Sequence, residues 1–332
     1  MDANVLIIYP RYMAVHGVAK ELIQQVAKVR EIVWETPTDV ASETFRLIED
    51  ADAVLVRLCR LDEELLSIAE KLKIIAIHGV GIDNVNVDVA TQKGIIVTNT
   101  PYANTVSVAE FTIGLILCLA RKISRLNEIV KSKGWKFGAT VEHGSEISGK
   151  TLGIIGLGRI GSLVAEKGKA LNMNVIAFDP YATIENAQKI GVKLTDLETL
   201  LKASDFITIH VPLTAETKHL IGEEELKKMK KEAFLINVAR GGVIDEEALY
   251  IALREKRIAG AALDVMEFEP PDPNNPLLNL ENVIITPHAA GSTKESLIKM
   301  SKTAAEEIVR VLNNKPPLFP VNLSKNSMVK LP

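Results

Sequence analysis

Cysteine is scarce in this sequence: the 332 residues include two, Cys59 and Cys118, each within an apolar run. Two isolated thiols exclude a disulfide framework, and they offer no cysteine cluster for a metal ion. We therefore predict two buried free thiols and no metal site.

Neither sign of charge is in clear excess. The sequence has 39 Lys and Arg residues and 42 Asp and Glu residues, which gives a net charge of −3. This balance argues against a nucleic-acid or anionic-membrane partner. The N-terminus lacks a basic stretch followed by an apolar core. The most apolar run, residues 111–120, is about half the roughly 20 residues that a membrane span needs. We expect a cytoplasmic protein that does not enter a membrane.

Short apolar runs alternate with helical patterns along the whole chain, which predicts an α/β fold. Continuous apolar runs are typical of parallel strands that are covered on both faces. The predicted strands are residues 5–8, 53–56, 74–77 and 94–97, then 175–178, 206–210, 233–237, 260–263 and 283–286. Helices are predicted at residues 196–202, 246–254 and 293–313.

One long helical pattern covers residues 105–133, and Gly134 is expected to end it. Its central part, residues 111–120, is apolar on nearly every side, which is typical of a helix buried in a core or between subunits. We favour a dimer interface for this helix.

A glycine-rich turn, Gly156, Gly158 and Gly161, follows the predicted strand ending at Ile155. Asp179 follows the next predicted strand, at its end. Strand, glycine turn, helix and acid form the fingerprint of dinucleotide binding, with the pyrophosphate on helix amides and the acid on the ribose hydroxyls. Since a carboxylate repels a 2′-phosphate, the sequence predicts NAD rather than NADP.

Three titratable or charged residues follow later strands of the same unit, where ligands of open α/β sheets bind. Arg240, Glu269 and His288 would each be unremarkable alone, as a solvated arginine, a loop acid and a structural histidine. Together they could exchange a hydride with a 2-hydroxy or 2-keto acid. The arginine would bind the carboxylate, the histidine would transfer the hydroxyl proton, and the glutamate would stabilise the imidazolium.

These residues lie within a longer resemblance, since the chain resembles the D-isomer-specific 2-hydroxyacid dehydrogenases. The matching segments are residues 79–85, 107–110, 150–161, 210–213, 237–242, 261–265 and 286–288. The resemblance implies two doubly wound parallel-sheet domains, with a Rossmann NAD-binding domain (residues 101–286) inserted into a flavodoxin-like substrate domain (residues 1–100 and 287–332). It also implies a homodimer built on the helix at residues 105–133.

The resemblance assigns catalysis to Arg240, Glu269 and His288. The cofactor contacts that the motif and the resemblance together predict are Val80, Gly156, Gly158, Arg159, Ile160, Gly161, Asp179, His210, Val211, Pro212, Val238, Ala239, Arg240, Asp264, His288 and Ala289. The backbone of Val80 and Gly81 would bind the substrate carboxylate in the manner of an anion nest.

Within the family the chain looks most like the D-3-phosphoglycerate dehydrogenases, although His78 stands where they often carry an arginine. Arg57, Arg60 and Asn104 are candidates for a substrate phosphate, and the alternative for the two arginines is a surface pair facing water. The expected reaction is oxidation of D-3-phosphoglycerate to 3-phosphohydroxypyruvate, the first step of serine synthesis. Because no serine-binding regulatory domain follows Pro320, we expect no feedback inhibition through one.

Other activities of the same scaffold stay open. A glyoxylate or hydroxypyruvate reductase and a D-lactate-type dehydrogenase would share every motif named above. A corepressor-like protein that senses NADH is the alternative from another class of function, and it would need an added peptide groove or a disordered tail.

Overall fold

The computed structural model describes residues 3–11, 14–35, 37–135 and 143–323, without the side chains of residues 37–42 and Lys133. The chain divides into two compact units. Unit 1 comprises Met1–Asn104 and Ser292–Pro332, and unit 2 comprises Thr105–Gly291. The sequence predicts these boundaries after residues 100 and 286, a few residues earlier in each case.

Unit 1 begins with five strands and four helices in alternation. They are β1 (Asn4–Pro10), α1 (Val18–Ile23), β2 (Lys28–Trp34), α2 (Pro37–Ile48), β3 (Ala53–Val56), α3 (Glu63–Ser67), β4 (Ile74–Ile77), α4 (Val87–Gln92) and β5 (Ile96–Thr98). All strand pairs are parallel, in the order β2-β1-β3-β4-β5, which is the flavodoxin order. The strand β2 was not predicted, because its charged residues interrupt any apolar run.

Unit 2 begins with two helices, α5 (Thr105–Arg121) and α6 (Ile123–Lys133), where the sequence predicts one. The prediction of a single helix is wrong because Lys122 has φ of 54°, which is left-handed and interrupts the helical path. The predicted end is confirmed, since Gly134 caps α6 with φ of 74°.

The rest of unit 2 is a seven-stranded parallel sheet with helices between the strands. Its elements are β6 (Thr151–Ile155), α7 (Arg159–Ala170), β7 (Asn174–Phe178), α8 (Ile184–Lys189), β8 (Lys193–Leu194), α9 (Leu197–Ala203), β9 (Phe206–Ile209), α10 (Glu223–Lys228), β10 (Phe234–Asn237), α11 (Glu246–Arg254), β11 (Gly260–Leu263) and β12 (Val283–Ile285). The strand order is β12-β11-β10-β9-β6-β7-β8. Counted from β6 as the first strand, it is the Rossmann order with one strand added.

The helix α12 (Lys294–Leu312) returns the chain to unit 1, and Thr293 caps it by accepting a hydrogen bond from the Ser296 amide. Apolar residues of α12 such as Ala304 and Ile308 pack in one core cluster with Val5 and Ile7 of β1. One core of unit 1 is therefore built from both parts of the sequence.

The predicted fold class is confirmed, and the predicted strands and helices fall on elements of the structure. Both cysteines are free, Cys59 buried and Cys118 half-buried. Among the helices of the described ranges, none has the length and apolarity needed to cross a bilayer.

Candidate active site

The glycine turn lies between β6 and α7 in unit 2. Gly156 has φ of +94°, and a Cβ added there would lie 2.8 Å from Val211 Cγ1. A Cβ on Gly161 would lie 2.0 Å from the carbonyl oxygen of Gly156, whereas one on Gly158 would meet no atom within 4 Å. The backbone thus needs glycine at two positions and leaves open space at the third, where α7 begins. That arrangement fits a pyrophosphate at a helix N-terminus.

The carboxylate of Asp179 lies beside this turn, directly after β7. Its Oδ2 accepts a hydrogen bond from the Leu157 amide at 2.7 Å, which ties the acid to the glycine turn. Its Oδ1 accepts from the amides of Tyr181 (2.8 Å) and Ala182 (3.1 Å). A carboxylate has about four acceptor positions and three are occupied, so capacity remains for one ribose hydroxyl.

The segment of His210, Val211 and Pro212 follows β9 and lies against the glycine turn. The carbonyl carbon of His210 would be 2.9 Å from a Cβ on Gly156. Burial lowers the pKa of His210 to about 3, so its imidazole is neutral near pH 7, and its Nε2 lies 3.0 Å from Thr208 Oγ1. The other predicted cofactor contacts of this unit lie in the first turn of α7 or just after β10 and β12: Arg159, Ile160, Val238, Ala239 and Ala289.

Arg240, Glu269 and His288 follow the neighbouring parallel strands β10, β11 and β12, respectively. The structure brings Glu269 and His288 into contact, with 2.7 Å between Oε2 and Nδ1. The Oε1 of Glu269 accepts a hydrogen bond from the Met266 amide at 3.1 Å, which fixes the carboxylate on its own loop. The side chains of His288 and Glu269 are 30% and 34% exposed, so this pair is accessible to a ligand.

Asp264 holds the turn that carries His288. The amide of His288, which has φ of 51°, donates to the Asp264 carbonyl at 2.8 Å. The Asp264 carboxylate accepts from the amides of Ala289 and Ala290, both at 2.8 Å, and from Thr286 Oγ1 at 2.6 Å. Burial raises the pKa of this carboxyl, and the three hydrogen bonds act against the rise. The sequence predicts Asp264 as a cofactor contact and misses this structural role.

Arg240 begins a short turn that packs on the loop leading to Glu269. Its Nη1 donates to the Ala239 carbonyl at 2.7 Å, and its own carbonyl accepts from Asn237 Nδ2 at 2.8 Å. A Cβ on Gly241 would lie 2.0 Å from the carbonyl carbon of Met266, so the two backbones are in direct contact. Arg240 is thereby placed at the strand end beside the Glu269 loop.

The two arginines among the predicted phosphate ligands of unit 1 differ in burial. Arg57 is 7% exposed, and its guanidinium lies 3.1 Å from His78 Nδ1 and donates to Ser292 Oγ at 3.3 Å. Arg60 is exposed. The alternative of a surface pair facing water is therefore wrong for Arg57. The Oδ1 of Asn104 is buried, with no hydrogen-bond partner among the described residues.

His78 links Arg57 to the interior of unit 1. Because a guanidinium only donates, Nδ1 of His78 accepts, and the proton of the neutral ring lies on Nε2. That Nε2 is 2.8 Å from Ser301 Oγ, which also accepts from the His16 amide at 2.9 Å. Burial, and then the charge of Arg57, lower the pKa of His78 to about 3.

The predicted anion nest follows β4. The carbonyl of Gly79 accepts from Thr100, and the carbonyl of Val80 accepts from Asn99 Nδ2 at 2.7 Å. The described residues give no acceptor to the amides of Val80 and Gly81, which is the arrangement that an anion requires. No group of three or more His, Cys, Asp and Glu residues in the described ranges could hold a metal ion.

Comparison with known families agrees with this geometry. Residues 113–290 match the model described as "D-isomer specific 2-hydroxyacid dehydrogenase, NAD binding domain". The matched region contains the glycine turn, Asp179, Arg240, Glu269 and His288. The predicted cofactor, NAD, is thereby confirmed.

Curated relatives and a solved structure extend the match to most of the chain. The chain is 48% identical to a D-3-phosphoglycerate dehydrogenase of Archaeoglobus fulgidus over 85% of its own length and 53% of that relative. It thus spans about half of that protein. It is 43% identical to a glyoxylate reductase of Aeropyrum pernix over 97% of its length and 98% of that relative. A D-lactate dehydrogenase of Aquifex aeolicus, crystallised with NAD and lactic acid, is 33% identical over 97% of this chain and all (100%) of that one, with a TM-score of 0.84. This chain belongs to the D-isomer-specific 2-hydroxyacid dehydrogenase family.

Proposed function

We propose that this chain is an NAD-dependent oxidoreductase that interconverts D-2-hydroxy acids and 2-keto acids. The observation that carries the proposal is the 2.7 Å contact between Glu269 and His288 at the end of β12. The pair follows strands of the same sheet as the glycine turn and Asp179, which fit NAD. The cofactor, when bound, supplies or accepts the hydride.

His288 transfers the proton in this scheme. Glu269 occupies its Nδ1 side, so Nε2 is the atom that faces the substrate hydroxyl or keto oxygen. When a hydroxy acid is oxidised, Nε2 takes the hydroxyl proton, and the Glu269 carboxylate stabilises the imidazolium that forms. When a keto acid is reduced, the same nitrogen returns the proton.

Arg240 orients the acid. A guanidinium presents planar pairs of donors that match a carboxylate, and its positive charge polarises a neighbouring keto group. In unit 1, we propose the amides of Val80 and Gly81 as an anion site for a carboxylate.

For the substrate we propose D-3-phosphoglycerate, which would make this reaction the first step of serine synthesis. The 48% identity to the Archaeoglobus fulgidus relative supports this choice. In unit 1, Arg57 is a buried cation, and we propose it as a partner for the phosphate of such a substrate.

Glyoxylate is the second candidate. It is favoured by the glyoxylate reductase of Aeropyrum pernix, which aligns with this chain over 98% of its own length. Glyoxylate has no phosphate, so Arg57 would then have no role in substrate binding.

A panel of acids, each followed by NADH absorbance, tests the proposal. We expect the largest kcat/KM with D-3-phosphoglycerate and its keto acid, and a clear preference for NAD over NADP. Rapid turnover of glyoxylate with none of phosphoglycerate would exclude the first substrate. Absence of turnover with every D-2-hydroxy and 2-keto acid would contradict the activity itself.

We also propose a homodimer that forms through α5 and α6. Val106, Ile123 and Val130 are apolar and exposed on these two helices. Light scattering on the purified chain should give twice the mass of 36.3 kDa. A monomer that retains full activity would contradict this assembly.

A further inference from the structure

A second histidine–glutamate pair lies next to the proposed catalytic residues in unit 2. His219 Nε2 and Glu267 Oε1 are 2.6 Å apart, and Glu267 precedes Glu269 by two positions on the same loop. Asp245 Oδ2 lies 4.0 Å from the other ring nitrogen, Nδ1. No motif of the sequence singles out this pair, and the proposed reaction does not use it.

The backbone of His219 also reaches the turn that carries Arg240. Its amide donates to the Gly242 carbonyl at 2.8 Å, and Gly242 follows Arg240 by two positions. His219 has φ of 51°, a left-handed conformation that is uncommon outside glycine. One residue therefore contacts the Arg240 turn through its backbone and the Glu269 loop through its side chain.

Glu267 is fixed from a second direction by the start of α11. Its amide donates to Glu246 Oε1 at 2.5 Å, and Glu246 Oε2 accepts from Asn275 Nδ2 at 3.1 Å. The Glu267 side chain is 25% exposed and that of His219 is 41% exposed. The contact of Gly241 with the Met266 backbone completes the junction of the two segments.

We propose that His219 and Glu267 are positioning residues, which set the Arg240 turn relative to the loop that carries Glu269. The inference rests on the proposed function, because it assigns these residues to the same reaction. Arg240 has to reach the substrate carboxylate while Glu269 supports His288. Loss of the His219–Glu267 contact would let one segment move against the other, without removing any group that touches the substrate.

The size of the effect should separate positioning from stability. Exposed pairs of polar or charged side chains contribute about 0 to 1 kcal/mol to folding, so the melting temperature should change little. A displacement of about 1 Å at a reacting group, in contrast, can cost about 100-fold in rate.

The test uses the full chain with NADH and the acid that it turns over fastest. We expect His219→Phe and Glu267→Ala to lower kcat by about tenfold or more and to raise KM for the acid. The Kd for NADH, measured by fluorescence, should stay unchanged, since neither residue contacts the glycine turn. The double variant should lose no more than either single variant, because both remove one contact.

A conservative and a matched variant complete the design. His219→Gln places an amide donor near the position of Nε2 and should recover most of kcat. Lys202→Gln removes the exposed Lys202–Glu198 pair of α9 in the same unit, 2.5 Å between charged atoms, and should leave kcat and KM unchanged.

Three outcomes overturn the inference. Unchanged kcat and KM in His219→Phe, with an active unmodified chain, would remove the positioning role alone. A fall in activity that follows a fall in melting temperature, and that His219→Gln does not rescue, would show a merely structural role. If the unmodified chain turns over no acid, the proposed function fails and the inference fails with it.

Discussion

Each unit places a histidine after a parallel strand, but the two surroundings differ. In unit 2, His288 follows β12 with its side chain 30% exposed and a carboxylate at 2.7 Å. In unit 1, His78 follows β4, is 3% exposed and lies between Arg57 and Ser301. A half-exposed imidazole with an anionic partner can exchange a proton with a ligand. A buried imidazole beside a cation stays neutral and serves as a fixed hydrogen-bonding group. Both histidines lie at a strand end, so it is the burial and the charge around each ring that distinguish a candidate catalytic histidine from a structural one.

Replacing the accessible histidine should have the largest effect. We expect His288→Asn to lower kcat by about 10²- to 10⁴-fold, the usual contribution of general acid–base catalysis, and to leave NADH binding intact. Stopped-flow turnover and a fluorescence titration measure the two quantities. The exposed His143 offers a matched control, and His143→Asn should change neither. Turnover retained in His288→Asn would remove this residue from the mechanism.

The buried histidine, His78, should make the free energy of unfolding depend on pH. The pKa of His78 is lowered to about 3 in the folded chain, so below its unfolded value of about 6.5 only the unfolded state gains the proton. Its contribution to stability is complete above pH 6.5 and is lost progressively as the pH falls toward 3. By pH 5 the loss should be about 2 kcal/mol.

Urea unfolding at pH 7.5 and pH 5 measures this loss. His78→Gln cannot titrate, so its unfolding free energy should fall by about 2 kcal/mol less than that of the unmodified chain over the same interval. An equal fall in both proteins would show that His78 is protonated in the folded state, which would contradict the contrast with His288.

The smallest effects should come from replacing two serines, one that contacts His78 and one that contacts Arg57. Ser301 is 0% exposed and bonds His78 and the His16 amide, whereas Ser292 is exposed and accepts from Arg57. We expect Ser301→Ala to lower the unfolding free energy by on the order of 1 kcal/mol. Ser292→Ala should change it by less than about 0.5 kcal/mol. Equal losses in thermal unfolding would mean that burial does not set the strength of these contacts.

Apolar periodicity predicted most of the fold because most strands are buried on both faces. The edge strand β2 was not predicted because its first half carries the exposed charged residues Lys28, Arg30 and Glu31, as edge strands often do. The break between α5 and α6 at Lys122 was not predicted for another reason. No glycine, asparagine or proline marks it in the sequence, so the left-handed conformation of Lys122 depends on the packing of α5 and α6.

The candidate site was predictable where its residues follow adjacent parallel strands, because the carboxyl ends of such strands lie at the same edge of the sheet. Arg240, Glu269 and His288 follow consecutive strands of the order, so their positions after predicted strands were enough to group them as candidates. Spacing could not predict the contact between Glu269 and His288. The burial of Arg57 was not predictable, since His78 and Ser292 lie 21 and 235 residues away in the sequence. His219 was missed because its partner, 48 residues away, lies in a loop without regular structure.

The return of the chain through α12 has a consequence for synthesis on the ribosome. Ala304, Ala305 and Ile308 of that helix complete the core around β1, β3 and β4, yet they follow the whole of unit 2. At about 5 to 20 residues per second, roughly 10 to 40 seconds separate the end of the first part of unit 1 from its covering helix. By the end of that interval all strands of unit 2 have been synthesised, so unit 2 can fold first while one apolar face of the sheet of unit 1 is still uncovered. A truncated chain that ends at Gly291 should therefore hold a protease-resistant Rossmann unit behind a protease-sensitive N-terminal segment.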